Sequence, residues 1–120
     1  MYKVITYKDR DENDEIKDYL YELAKAQNTK DARIKLNKIM EYIRQLETYG
    51  VAAGKPAIEH ITGTELWELR PLRDRILFAY WKDNIFVLLH RFVKKTQKTP
   101  PQEIHQAKRK LKDFIERYGV

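Results

Sequence analysis

The sequence predicts a small α+β domain built on an antiparallel sheet, and three observations lead to this prediction. The segment 66–98 has the pattern of three short strands joined by turns. Two runs with apolar residues at helical spacing precede this segment, and a third run follows it. We therefore expect a single domain over residues 1–120, with the element order β-α-α-β-β-β-α.

The N-terminal part predicts one strand followed by a helix. Residues Tyr2–Tyr7 are rich in Val, Ile, Thr and Tyr, which is typical of a strand, and we place this strand at or near a sheet edge. Asp9, Asp11 and Asp14 suit the start of a helix because carboxylates accept hydrogen bonds from its first N–H groups. The apolar spacing then predicts an amphipathic helix over residues 11–26.

A second helix is predicted to end at Gly50, a residue that favours helix termination. Either Thr29 or Asp31 can cap its first turn. Two consecutive amphipathic helices are expected to form an antiparallel hairpin on one face of the sheet. The following segment 50–65 contains three of the four glycines, so we expect it to be a connecting loop. The apolar stripe of the second helix consists of Leu36, Ile39, Met40, Ile43 and Leu46.

The centre of the sheet is expected within residues 66–98. Strands are predicted at Leu66–Arg70, Arg75–Trp81 and Ile85–Val93. The last two are so rich in apolar residues that neither face should remain in water, which predicts central strands of a covered sheet.

The pairing of the last two strands depends on the length of their turn. A two-residue turn at 83–84 pairs Leu77 with His90 and puts Arg75 and His90 on one face, within reach of one phosphate. A three-residue loop would instead place Arg75 opposite Arg91. The first register is preferred because it avoids a like-charge pair.

A C-terminal helix is predicted to begin at Pro100, with Thr99 as its N-cap, and to run to about residue 118. One stripe of this helix is apolar and should pack on the domain. Its opposite side is basic, with Lys108, Arg109, Lys110 and Lys112.

The charge of the chain is unevenly distributed. Residues 1–54 hold ten basic and ten acidic residues, whereas residues 55–120 hold fourteen and eight, so the whole net charge of +6 lies in the second part. This asymmetry favours a polyanionic partner such as nucleic acid. The sequence has no cysteine, no apolar core of a signal peptide and no membrane-spanning run, so cytoplasmic residence is expected.

Several kinds of chemistry are disfavoured by the motifs. The three histidines lack metal-ligand spacing, and no glycine-rich phosphate loop or serine nucleophile motif is present. We therefore expect no metal and no cofactor. What remains is cleavage of RNA by its own 2′-hydroxyl, which requires a proton acceptor, positive charge near the phosphate and a proton donor.

Basic residues around the predicted sheet supply these functions in our hypothesis. Arg70, Arg73 and Arg75 would neutralise the scissile phosphate, and His90 or Lys94 would move the proton. Further RNA contacts are predicted for Lys95 and Lys98 after the last strand, and for Lys108, Arg109 and Lys112 on the C-terminal helix.

Each of these residues has a structural alternative. His90 lies in an apolar strand and could be a buried, hydrogen-bonded histidine. Arg70 and Arg73 could simply be solvated, or paired with Glu68 and Asp74. The chain as a whole could be a non-catalytic nucleic-acid-binding module or a protein-interaction module.

The segments LWELRP, RILFAYW, VLLHRFVKKTQKTP and EIHQAKRKLKDF resemble the phage-derived Gp49-like group of HigB toxins, within the RelE superfamily. The resemblance implies a microbial-RNase-like antiparallel sheet with helices on one side. It also implies a type II toxin that cleaves mRNA on the ribosome, and a HigA-like helix-turn-helix antitoxin. Operator DNA would then be contacted only through the antitoxin. The basic residues that match the family are Arg70, Arg73, Arg75, Lys94 and Lys95; Tyr118 and His90 are the nearest equivalents of a relative's catalytic tyrosine or histidine.

Overall fold

The computed structural model describes all residues 1–120 and contains five strands, three α-helices and one 3₁₀ turn. The α+β class is confirmed, but one strand lies where a loop was predicted, so the order is β-α-α-β-β-β-β-α. The elements are β1 (Lys3–Thr6), α1 (Glu15–Lys25), α2 (Lys30–Tyr49), the 3₁₀ turn (Gly50–Ala53), β2 (Ile58–His60), β3 (Trp67–Leu69), β4 (Asp74–Tyr80), β5 (Ile85–Val93) and α3 (Pro101–Tyr118).

The five strands form one mixed sheet in the order β1-β5-β4-β3-β2. β1 pairs with β5 in parallel, and the other three pairs are antiparallel. The prediction of a purely antiparallel sheet was therefore wrong. The chain passes through the whole α1–α2 hairpin before it returns to the sheet, and such a long connection allows parallel pairing. β1 is an edge strand, as predicted.

The β4–β5 pair combines both registers considered from the sequence. Leu77 pairs with His90, as the preferred register predicts. Closer to the turn, Tyr80 pairs with Phe86, which is the register of the three-residue loop. A β-bulge reconciles the two, because Leu89 is an extra residue on β5 that has no partner on β4.

Helices cover both faces of the sheet. The α1–α2 hairpin lies on one face, as predicted, and α3 lies on the other. An arrangement with all helices on one side is therefore wrong for this chain, because β4 and β5 carry buried apolar side chains on both faces. No helix has the combined length and apolar character that crossing a membrane requires. The hairpin face packs Ile16, Ile39, Leu46, Phe78 and Leu88, and the α3 face packs Leu77, Val87, Leu89, Leu111 and Phe114.

The helix ends agree with the sequence in the hairpin but not in α3. Asp14 accepts from the first turn of α1, and Thr29 caps α2. Gly50 ends α2 at a φ of 62°, a conformation in which glycine avoids the steric cost of a β-carbon. Thr99 does not cap α3, because its hydroxyl donates instead to a Glu68 oxygen at 2.6 Å.

Candidate functional site

A polar cleft lies where the ends of β2 and β3 meet the loop that leads into α3. We call it the arginine cleft and define it by Glu59, Glu68, Arg70, Lys98 and Thr99. It brings together strand residues and loop residues that are far apart in sequence, since Glu59 and Thr99 are separated by forty positions. The cleft contains both carboxylates and cations, which is the combination that proton transfer near a phosphate requires.

Arg70 is the central cation of the arginine cleft. It follows β3, and its guanidinium pairs with Glu59 on the neighbouring strand β2. Its Nε lies 3.6 Å from a Glu68 oxygen. These two carboxylates orient the Arg70 side chain. It is 26% exposed, so it also remains accessible from solvent. The predicted alternative of pairing with Glu68 is thus observed.

Glu68 is the buried anion that connects the cleft to the rest of the sheet. It lies on β3 and is almost completely enclosed. Thr99 donates to it, Arg70 lies beside it, and Arg75 Nε is 3.9 Å from it. These contacts join three segments of the chain, so Glu68 holds the parts of the cleft together.

Arg75 is a buried residue with only 6% exposure. Its Nη1 donates to the carbonyl oxygens of Leu72 and Asp74, each at 2.8 Å. Burial, followed by the nearby charge of Arg70, lowers the pKa of the Arg75 guanidinium. The Arg75 donors are therefore directed at the backbone of the turn before β4.

That turn presents Arg73 next to Lys94; we call these two cations the rim, and neither of them lines the arginine cleft itself. Asp74 N–H donates to the Pro71 carbonyl at 3.1 Å, which closes a tight turn with Leu72 at a φ of 58°. Arg73 Nη2 donates to the Lys94 carbonyl at 2.9 Å, and Lys94 N–H donates to the Arg73 carbonyl at 2.8 Å. Arg73 and Lys94 are thus neighbours, as the hypothesis of a common phosphate site requires.

His90 belongs to a separate buried network. Its Nδ1 lies 2.9 Å from Lys110 Nζ, and its Nε2 lies 2.8 Å from a Glu103 oxygen. Because a lysine ammonium only donates, Nδ1 accepts from Lys110 and Nε2–H donates to Glu103. Lys110 Nζ also lies 3.5 Å from a Glu15 oxygen. Both ring nitrogens are occupied, which matches the alternative of a satisfied buried histidine.

The remaining predicted RNA-binding residues do not form one surface. Lys95 and Lys98 are exposed in the loop after β5, and Lys98 borders the arginine cleft. On α3, Lys108 faces the loop that follows β2, whereas Arg109 and Lys112 face the loop that follows β1. The α3 residues therefore point to two different sides of the molecule.

Glu59 was missed as a candidate site residue because β2 was not predicted, and for the same reason His60 was placed on a loop. Only three residues form this strand, and an alternation that short does not stand out in a glycine-rich segment. Glu59 meets Arg70 only after β2 and β3 pair. His60 Nε2 lies 2.8 Å from the Thr64 carbonyl, and the ring packs against Trp67 at a centroid distance of 4.7 Å.

Comparison with known proteins identifies the family. The model of the phage-derived protein Gp49-like family (DUF891) matches residues 31–112. This family is associated with the toxins of toxin–antitoxin systems, which implies an antitoxin partner. No curated protein matches the chain significantly. Because the matched segment spans well over half of the chain, from the start of α2 to the last turns of α3, the chain belongs to the phage-derived Gp49-like family.

Proposed function

We propose that this chain is a toxin that cleaves mRNA on the ribosome by metal-free attack of the RNA 2′-hydroxyl. The observation that carries this proposal is the pairing of Arg70 with Glu59 in an accessible cleft bordered by Lys98. A guanidinium held beside a carboxylate combines a phosphate-binding group with a proton acceptor.

Glu59 is the proton acceptor in this proposal. Its side chain is 38% exposed, and it reaches the cleft from the edge strand β2. Arg70 would bind the non-bridging phosphate oxygens and stabilise the additional negative charge of the transition state. Substrate phosphate would compete with Glu59 for the Arg70 donors, which would free the carboxylate to accept the 2′-hydroxyl proton.

Lys94 is the preferred donor to the leaving 5′-oxygen, and His90 is the alternative. Lys94 is partly exposed and adjoins Arg73, whereas both His90 nitrogens are engaged with α3. Arg73 would stabilise the phosphate from the rim, and Lys98 would hold a flanking phosphate. Two residues have supporting roles: Arg75 positions the turn, and Lys95 adds positive charge next to Lys94.

The antitoxin in this proposal is a HigA-like helix-turn-helix protein, and the toxin contacts operator DNA only through it. A rival function is non-catalytic RNA binding at the same cations. The carboxylate Glu59 favours catalysis over simple binding, because an anion paired with the central arginine weakens phosphate binding but can accept a proton.

The test is to induce the chain alone in bacteria and to map the 5′ ends of cellular mRNA. We expect growth arrest with new 5′ ends in translated messages, and loss of both with Arg70→Ala or Glu59→Gln. Arg44→Ala removes an exposed arginine from α2 and is the matched control. Growth arrest with unchanged transcripts would refute the nuclease. Equally fast cleavage of naked RNA by purified protein would refute the ribosome requirement.

A further inference from the structure

One half of strand β5 has an open edge. β1 pairs only with Ile85–Leu88, and the last hydrogen bond on that side runs from Tyr7 N–H to the Leu88 carbonyl at 2.8 Å. The chain then leaves the sheet for α1. Residues Leu89–Val93 therefore lack a strand neighbour on the β1 side. Five residues correspond to about 17 Å, the length of an ordinary strand.

The backbone groups at this edge are directed outward. Lys94 N–H bonds to Arg73 on the β4 side, and successive residues of a strand direct their N–H groups to opposite edges. The N–H and carbonyl groups of Arg91 and Val93 consequently point away from β4. No hydrogen bond within the chain satisfies them from that side. Such an edge is a template for one further strand.

A cleft gives access to this edge. Its floor is formed by Leu89, His90 and Arg91, with α1 on one side and α3 on the other. The α1 side presents Glu15, Asp18 and Glu22, which are all exposed and share one side of the helix. Glu15 pairs with Lys110, whereas Asp18 and Glu22 make no ion pair.

These charges decide the kind of occupant. Asp18 and Glu22 make the α1 side of the cleft acidic, whereas Arg109 makes its α3 side basic. An RNA backbone carries charge of one sign and is repelled on the α1 side, whereas a peptide with side chains of both signs can match both sides. A second copy of this chain is also disfavoured. Edge-to-edge pairing of two β5 strands would place the two α1 carboxylate rows side by side.

We propose that an extended segment of the antitoxin adds as a strand to Leu89–Val93 of β5. Successive side chains of such a segment point alternately to α1 and to α3. We expect lysine or arginine at the positions that face Asp18 and Glu22, and neutral or acidic residues at the positions that face Arg109. Main-chain hydrogen bonds would provide affinity, and this alternation would provide specificity. The identity of the partner rests on the proposed toxin function.

The test uses the product of the reading frame adjacent to this chain, purified in complex with the full chain. Amide hydrogen exchange measured by NMR should show that Arg91 and Val93 become protected on binding. Val93→Pro removes an outward N–H and should weaken binding by about tenfold or more. Val93→Ala keeps this N–H and should change affinity by less than about twofold.

Charge provides a second, independent measurement. The double variant Asp18→Lys/Glu22→Lys should weaken binding by about tenfold or more, with the loss reduced at high salt. Asp31→Lys/Glu41→Lys makes the same change in net charge on α2 and should have little effect. Binding that leaves Arg91 and Val93 unprotected, or no binding of the adjacent product, would overturn the inference. Both outcomes are measured on the parent chain, so they decide the matter even if Val93→Pro does not fold.

Failure of the strand addition can be distinguished from failure of the proposed nuclease function. Cleavage of mRNA is measured on the free chain, and Val93, Asp18 and Glu22 lie outside the arginine cleft. A chain that leaves mRNA intact but gains protection at Arg91 and Val93 would refute the nuclease and support the strand addition. A chain that cleaves mRNA but binds its partner elsewhere would support the nuclease and refute the strand addition.

Discussion

Arg75 Nη1 donates to the carbonyl oxygen of Leu72 at 2.8 Å, so a buried arginine holds an exposed leucine in a left-handed conformation. Leu72 has a φ of 58° and is 49% exposed, so neither its backbone nor its packing favours leucine. A non-glycine residue pays roughly 1–2 kcal/mol for this conformation. We therefore predict that Leu72→Gly raises the free energy of unfolding by up to about 1 kcal/mol. Thermal and denaturant unfolding measure the change.

Leu72→Ala is the matched control for this prediction. It removes the same exposed side chain but keeps a β-carbon at positive φ, so we expect no gain in stability. An equal gain in both variants would mean that the exposed side chain, and not the backbone conformation, is unfavourable.

Arg73→Ala is predicted to lower the rate of mRNA cleavage on the order of 10²-fold, as for the loss of other charge-stabilising donors. The free energy of unfolding should change by less than about 0.5 kcal/mol, because the side chain is exposed and its one hydrogen bond is to the Lys94 carbonyl. Ribosome-dependent cleavage and denaturant unfolding are measured on the same preparation. Unchanged cleavage would place the reacting phosphate away from this rim.

Arg75 should behave in the opposite way. Arg75→Met removes a buried cation from Glu68 and leaves the Leu72 and Asp74 carbonyls without their donor. We expect a loss of about 3 kcal/mol in the free energy of unfolding. A variant that loses cleavage without losing stability would show that Arg75 acts on the substrate directly. Arg91→Met, which removes a partner of the same Asp74, is the comparison for general loss of charge in the sheet.

His90→Gln tests whether the buried imidazole moves a proton. The glutamine amide cannot reproduce both the acceptor for Lys110 and the donor to Glu103 in the same positions, so we expect a loss of about 1–3 kcal/mol in stability. The cleavage rate of the folded fraction should stay near that of the parent chain. Lys110→Met should couple with His90→Gln in a double-mutant cycle. A rate loss of at least about tenfold in a stably folded His90→Gln protein would identify a proton carrier instead.

The sequence was sufficient to predict the parts of the fold that local pattern determines. Thr29, Gly50 and the apolar runs of β4 and β5 act through short-range geometry, and they lie where they were predicted. The parallel pairing of β1 and the strand β2 were missed because both depend on contacts between distant segments.

The candidate site was predictable to the same extent. The cations Arg70, Arg73 and Lys94 could be read from charge clustering and family resemblance, and they do lie at one end of the sheet. Their anionic partners could not, since Glu59 meets Arg70 only through the pairing of β2 with β3. The bulge at Leu89 likewise could not be predicted from the neighbouring residues. It arises because one register holds near the turn and the other holds at the far end of the hairpin.

Tyr7 and Arg10, which follow β1, hydrogen-bond to Asp113 on α3. We predict that these bonds make the free energy of unfolding depend on pH in the acid range. Tyr7 Oη donates to this carboxylate at 2.6 Å, and so does Arg10 Nε at 2.6 Å. These two bonds lower the pKa of Asp113 to about 2, with the Tyr7 bond as the largest cause. A folded-state pKa below the unfolded value of 3.8 gives stability that is present above about pH 4 and is lost as the pH falls towards 2.

Tyr7→Phe removes the largest cause of this shift and keeps the aromatic ring. We predict that it raises the pKa of Asp113 and makes stability less dependent on pH between about 4 and 2, as Asp113→Asn should do more completely. Burial, together with the same bond, raises the pKa of Tyr7 to about 12, so the parent chain should also lose stability as the pH rises from 10 to 12. Because Tyr7→Phe has no phenol to ionise, it should lack this alkaline contribution. Denaturant unfolding across both pH ranges decides the matter: an acid dependence unchanged in Tyr7→Phe would show that Arg10 and Arg117, and not the phenol, hold the Asp113 carboxylate in its charged form.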